Sequence, residues 1–208
     1  MKGKFITFEG CEGVGKSTQV RFLKEYMTNM DQKCIFLREP GGTDISEDIR
    51  KIILDTKNVG MTNECETLLY CAARAQLIKQ VILPSLEQGI SVICDRFIDS
   101  TFAYQGVARG LGAEYVEQLN DLACNGVKPD ITIFLDLSPD EAFARKGGAD
   151  KNDRLEQENL EFHKKVYEGY KLAAKRNPKR IVCIDASGDK FATQAKIKTV
   201  LREGGYIK

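Results

Sequence analysis

A chain of 208 residues, 42% apolar and 29% charged, has the composition of a globular domain large enough for a sizeable core. Its formal net charge of +1 and lack of a long basic tract exclude the sustained electrostatic footprint of a nucleic-acid binder. Seven cysteines without a CxxC pair, beside a single histidine, argue against a disulfide framework or a structural zinc, and predict buried free thiols in a reducing cytoplasm.

The first predicted element is a strand over 4–8, too short for a signal peptide or a membrane span. It runs directly into FEGCEGVGKSTQ, residues 8–19. Gly10, Cys11, Glu12, Gly13, Val14, Gly15, Lys16 and Ser17 match GxxxxGK[ST], and a helix is predicted over 17–30. Glycines there let backbone N–H groups converge on an anion, and the helix aims its positive end at the same point. Lys16 can reach the β- and γ-phosphates of a nucleoside triphosphate, and the Ser17 hydroxyl can ligate Mg²⁺. With Thr18 these residues form the expected ATP site.

Strand two, over 34–37, ends at Arg38-Glu39-Pro40-Gly41-Gly42-Thr43. A helix over 45–54 carries Arg50. A longer helical pattern over 66–88 carries Tyr70 and Arg74, with a kink or break expected at Pro84. Strand three, over 91–94, ends in Asp95-Arg96: the carboxylate can hold Mg²⁺ or its water shell, and the guanidinium can fork onto a phosphate. The following stretch, 99–106, offers hydroxyls and the Gln105 amide for reading a base edge. Then come a helix over 113–124, a strand over 131–135, a helix over 139–146, and a glycine-rich loop over 147–153 suited to covering a site. A long helix is predicted over 154–176, its stripe Phe162, Val166, Tyr170 and Ala173 expected in the core. A strand over 181–184, a loop over 185–188 suited to adenine, and a helix over 191–202 close the chain. His163, on the long helix, is expected to be a surface or structural residue.

Short, continuously apolar strands alternating with helices predict an open, parallel α/β sheet whose ligands sit beyond the strands' C-terminal ends. ATP phosphates are served by the first loop. Arg38, Arg50, Arg74 and Arg96 near the same edge therefore imply a second anion, such as a monophosphate, with Tyr70 one turn before Arg74 able to stack a flat base.

FEGCEGVGKST, REPGGT, CDRFIDST, AYQG with its following ARG, KPD and DRLEQE, in this order along nearly the whole chain, resemble bacterial thymidylate kinases. The resemblance implies a P-loop NTPase-type sheet of five parallel strands in the order 2-3-1-4-5, flanked by helices in a single domain with a mobile lid at about 145–154. It implies phosphoryl transfer from ATP to dTMP with Mg²⁺, and a homodimer acting without nucleic acid or membrane. It places Lys16, Glu12, Asp95, Arg96 and Arg154 at the chemistry, with Arg154 as the expected transition-state cation and Arg145 and Lys146 next. Ser17 and Asp95 fall at the metal, and Glu39, Arg50, Tyr70, Arg74, Arg96, Thr101, Tyr104 and Gln105 at dTMP. Two features depart from the family. Phe97 stands where members often have Tyr or His. Gly13 stands where some relatives place an arginine, which shifts the transition-state cation to the lid. A guanine-reading NKxD motif, as a GTP-regulated switch would need, is absent from the sequence.

Overall fold

The computed structural model describes residues 2–146 (Lys146 without its side chain), 153–155 and 157–208. Among these, strands β1 (Phe5–Glu9), β2 (Cys34–Arg38), β3 (Ser91–Asp95), β4 (Ile131–Asp136) and β5 (Ile181–Asp185) form one parallel sheet in the order β2-β3-β1-β4-β5. Helices are α1 (Lys16–Asn29), α2 (Asp44–Leu54), α3 (Asn63–Leu77), α4 (Leu83–Glu87), α5 (Ile98–Thr101), α6 (Ala113–Cys124), α7 (Pro139–Lys146), α8 (Leu160–Arg176) and α9 (Lys190–Glu203). The order of elements and the sheet are as expected.

The inner strands are buried on both faces, which is why they carry no polar alternation. On β1, Ile6 and Phe8 join a core with Leu23 and Met27 of α1, while Phe5 packs with Leu77, Ile82 and Phe97 on the other side. Fully burying each such side chain contributes about 1.5–3 kcal/mol. The predicted stripe Phe162, Val166, Tyr170 and Ala173 is buried in the first of these cores.

Two local readings change, and the 66–88 pattern breaks near Pro84 as expected: α3 passes into a π-helical turn, Ile78–Ile82, and then α4. Pro84 cannot donate to the Gln80 carbonyl, and the amide of Leu83 instead bonds the Ile78 carbonyl, an i→i+5 step that absorbs the missing donor. Residues 98–108, read only as a source of polar groups, are α5 followed by a π-helical segment, Phe102–Ala108, too short and too uniformly buried to show a helical stripe. The long helix starts at Leu160 rather than Arg154, because Asn159 caps it by accepting from the Phe162 amide at 2.9 Å. Of the expected loop over 147–153 only Asp153 is described; residues 147–152 and the side chain of Lys146 lie outside the described residues. All seven cysteines are unpaired, but Cys65 and Cys183 are exposed rather than buried.

α8 crosses the π-helical segment closely at Gly169, where an added Cβ would lie 2.7 Å from Ala103 Cα. Gly169→Ala is expected to destabilise the fold by about 1–3 kcal/mol through overpacking, measured as a lower urea midpoint with an unchanged m-value.

Candidate active site

The loop between β1 and α1 wraps an anion-sized hollow with its own backbone. Gly10, Gly13 and Gly15 have φ of 146°, 76° and 95°, the region glycine enters without strain. No side chain caps α1, although Thr43, Thr62, Asn159 and Asp189 cap α2, α3, α8 and α9. Its first amides and dipole therefore stand open to a phosphate. Lys16, buried on α1, folds back to donate to the carbonyls of Gly10 (2.9 Å) and Cys11 (2.8 Å). Burial and the nearby Arg96 charge lower its ammonium to about 8. Cys11 is a neutral filler, its thiol pushed up to about 12 by burial.

β3 lies beside β1, with Phe8 opposite Asp95, so Asp95 and Arg96 emerge next to this loop. Arg96 has φ 71°, a left-handed conformation costing a non-glycine residue on the order of 1 kcal/mol and typical of functional turns. Its Nη1 donates to Gly10 O (3.2 Å), Tyr170 OH (3.0 Å) and Ser100 Oγ (3.3 Å), and its guanidinium lies over the Tyr104 ring.

Beneath this arginine sits a carboxylate that sequence reasoning missed. Glu9, fully buried at the tip of β1, accepts from the amides of Phe97 (2.7 Å) and Ser100 (3.2 Å), from Ser100 Oγ (2.6 Å) and from Tyr170 OH (3.1 Å). Burial, then the Asp99 charge, raise its carboxyl to about 7, against the opposing pull of Ser100 and Arg96. The strand-tip argument that singled out Asp95 applies equally to Glu9.

Lys16, Asp95 and Arg96 share a cavity of about 500 Å³ whose lining also includes Glu12, Ser17, Thr18, Glu39, Arg50, Tyr70, Arg74, Thr101 and Gln105. Asp95 Oδ1, Glu39 Oε1 and Thr101 Oγ1 are buried without a hydrogen-bond partner, as expected of groups that complete their bonding on a ligand. Arg38 and Arg50 both donate to the Pro40 carbonyl, at 2.9 and 3.0 Å. Burial, then the Arg38 charge, lower the Arg50 guanidinium, a crowding of cations that an anion would relieve.

Three expected site residues carry heavier internal duties than their motifs suggested. Arg74, 1% exposed, spends Nε (2.8 Å) and Nη2 (2.7 Å) on Glu39 and Nη1 (2.6 Å) on Asn120, with its guanidinium over the Phe97 ring. Gln105 donates its amide to Glu66 at 2.7 Å. Arg154 also pairs with Glu66, and its Nε donates to Ile53 O at 3.1 Å, which sets it against α2 and α3. Arg145 donates to the carbonyls of Ala186 (2.7 Å) and Ser187 in the loop after β5. His163 is buried between the rings of Phe143 and Phe162 and borders the cavity, so it is not a surface residue. Asp99 turns away from the cavity to a two-pronged pair with Arg180, both contacts at 2.7 Å. Glu66 and Arg109 were also missed; Glu66 stands one helical turn before Tyr70, on the same face of α3.

A phosphate-cradling loop after β1 and an arginine-rich pocket after β3 define a P-loop nucleoside monophosphate kinase. Residues 8–197 match the family model described as Thymidylate kinase. The chain belongs to the thymidylate kinase family. It is 47% identical to a thymidylate kinase of Thermoanaerobacter sp. (strain X514) over 98% of this chain and 99% of that one. It is likewise 47% identical to one from Caldanaerobacter subterraneus subsp. tengcongensis, over 100% and 98%. The crystal structure of thymidylate kinase from Ehrlichia chaffeensis matches with a TM-score of 0.77 at 35% identity, covering 97% of this chain and 99% of that one.

Proposed function

We propose that this enzyme transfers the γ-phosphoryl group of ATP directly to dTMP, making dTDP. The observation that carries the reading is the pair of anion cradles on adjacent strands, opening into one cavity. The loop amides and Lys16 hold the donor. Arg96, Arg50 and Arg38 hold the acceptor phosphate, with Tyr70 stacking the base and Arg74, Thr101 and Gln105 at its edge. Tyr104 supports Arg96 from below, and Glu12 and Glu39 border the acceptor. Two anionic reactants repel, and cations placed between and around them remove most of that barrier. The acceptor oxygen is already ionised, so no general base is needed.

The donor set suits Mg²⁺: a serine hydroxyl at the start of α1 and a carboxylate with an orphaned oxygen, to be completed by phosphate oxygens and water. Ser17 and Asp95 would hold the ion, which when bound neutralises charge on the donor phosphates.

Arg154 is assigned the transition-state charge, with Glu66 as its resting partner. Arg109 also engages Glu66, through Nε at 3.3 Å and Nη2 at 3.4 Å, so Glu66 keeps a counter-ion when Arg154 moves to the phosphates. Arg154→Ala is expected to lower kcat about 10³-fold, as loss of an arginine finger does. A fall below about tenfold would pass the role to Arg145.

No helix among the described residues is long and apolar enough to cross a membrane. Seven unpaired thiols suit a reducing cytoplasm. The apolar side chains Ile45, Ile52, Leu68, Tyr115 and Leu122, exposed on α2, α3 and α6, suit a homodimer, to be checked by sedimentation. The decisive assay couples ADP release to a panel of dTMP, dUMP, dCMP, AMP and GMP. Fastest turnover with dTMP is expected, and equal rates with the purine nucleotides would overturn the acceptor assignment.

A further inference from the structure

We infer that Glu66 is a specificity-determining residue: by fixing the orientation of the Gln105 amide, it makes the site read an imide ring edge and reject cytosine. The inference rests on the reading of the cavity as a nucleotide acceptor pocket with Gln105 at the base.

Glu66, Tyr70 and Arg74 recur at four-residue spacing along α3, so carboxylate, aromatic ring and guanidinium stand in a row on one helix face. Gln105 reaches this row from the π-helical segment and borders the same cavity. Glu66 is 1% exposed, and its oxygens receive Gln105 Nε2 at 2.7 Å, both Nε and Nη2 of Arg109, and Nη2 of Arg154. A carboxylate whose oxygens face two guanidinium groups is committed to accepting hydrogen bonds. Gln105 must therefore turn its NH₂ toward Glu66, which leaves its carbonyl oxygen as the free acceptor. Thymine and uracil present a ring N–H that suits this oxygen. Cytosine presents an unprotonated ring nitrogen there, and two acceptors would face each other. The choice is made by Glu66, which touches Gln105 rather than the base, so it is a positioning residue.

The test measures kcat/KM for dTMP, dUMP and dCMP, and KM for ATP, in Glu66→Gln, Glu66→Asp and Gln105→Ala of the full chain. A glutamine at 66 can donate as well as accept, which frees Gln105 to turn over. An aspartate keeps the charge that Arg109 and Arg154 need but withdraws from Gln105, so it decides the matter if Glu66→Gln does not fold. In the folded Glu66 variants the dTMP-to-dCMP ratio is expected to narrow by at least about tenfold, the scale of one hydrogen bond between correct and mismatched partners. The dTMP-to-dUMP ratio and the ATP KM are expected to stay within about twofold, which a general loss of structure would not leave untouched. If the Glu66 variants keep the wild-type ratio while Gln105→Ala loses it, the inference fails and Gln105 remains a base reader. If Gln105→Ala keeps the ratio, the placement of the base beside Gln105 falls, and the inference with it.

Discussion

Lys16→Ala is expected to remove at least about 10³-fold of turnover while leaving the fold intact, because a preorganised cation aimed at the transferring phosphoryl group acts most strongly where water is excluded. The side chain is already gathered over the loop on the Gly10 and Cys11 carbonyls. An incoming triphosphate therefore has only to exchange two neutral acceptors for charged oxygens. Burial costs the ammonium a good part of its preference for the charged state, as its lowering to about 8 reflects. Deleting it consequently relieves a desolvated charge rather than a packing contact, at a position that lines the cavity. The checks are steady-state kcat together with a thermal melt: wild-type-like turnover would refute the donor assignment.

Arg96→Ala is expected to raise the KM for dTMP by at least about 100-fold, the scale on which truncating one partner of a buried charge pair weakens binding, with ATP affected only a few-fold. The guanidinium is held at one nitrogen by Gly10, Ser100 and Tyr170 and from below by Tyr104, which pre-orients its fork. Lysine cannot reproduce a planar fork, so Arg96→Lys should recover little. The substitution also strips Glu9 of a nearby positive charge and strains alanine at φ 71°, so a modest loss of stability should accompany the binding defect. Isothermal titration with each nucleotide separates the two: equal losses for ATP and dTMP would count against an acceptor role.

The sheet and the donor loop were legible in the sequence because their signals are local. A strand buried on both faces is a short apolar run, and GxxxxGK[ST] between such a run and a helix has few other uses. The acceptor wall was legible as a surplus of arginines with an aromatic ring and an amide beside them, but not as a geometry. The geometry of Arg74 and Arg96 depends on partners as far as 35 and 86 residues away, Glu39 for Arg74 and Gly10 for Arg96, which no window of sequence joins. The same holds for Glu9, whose partners come from two distant stretches of chain, residues 97–100 and Tyr170. Residues 98–108 escaped because a π-helical path breaks the 3.6-residue rhythm on which a helix is recognised.

The register of β1 against β3 has one further effect. Hydrogen-bonded neighbours in a sheet stand about 4.8 Å apart, and Phe8 sits opposite Asp95 at the tips of these two. The loop over residues 10–17 and the turn at Asp95 and Arg96 are thereby held side by side by main-chain pairing within the sheet. A slip of a single rung would swing Arg96 to the far side of the sheet and leave the donor with nothing to meet.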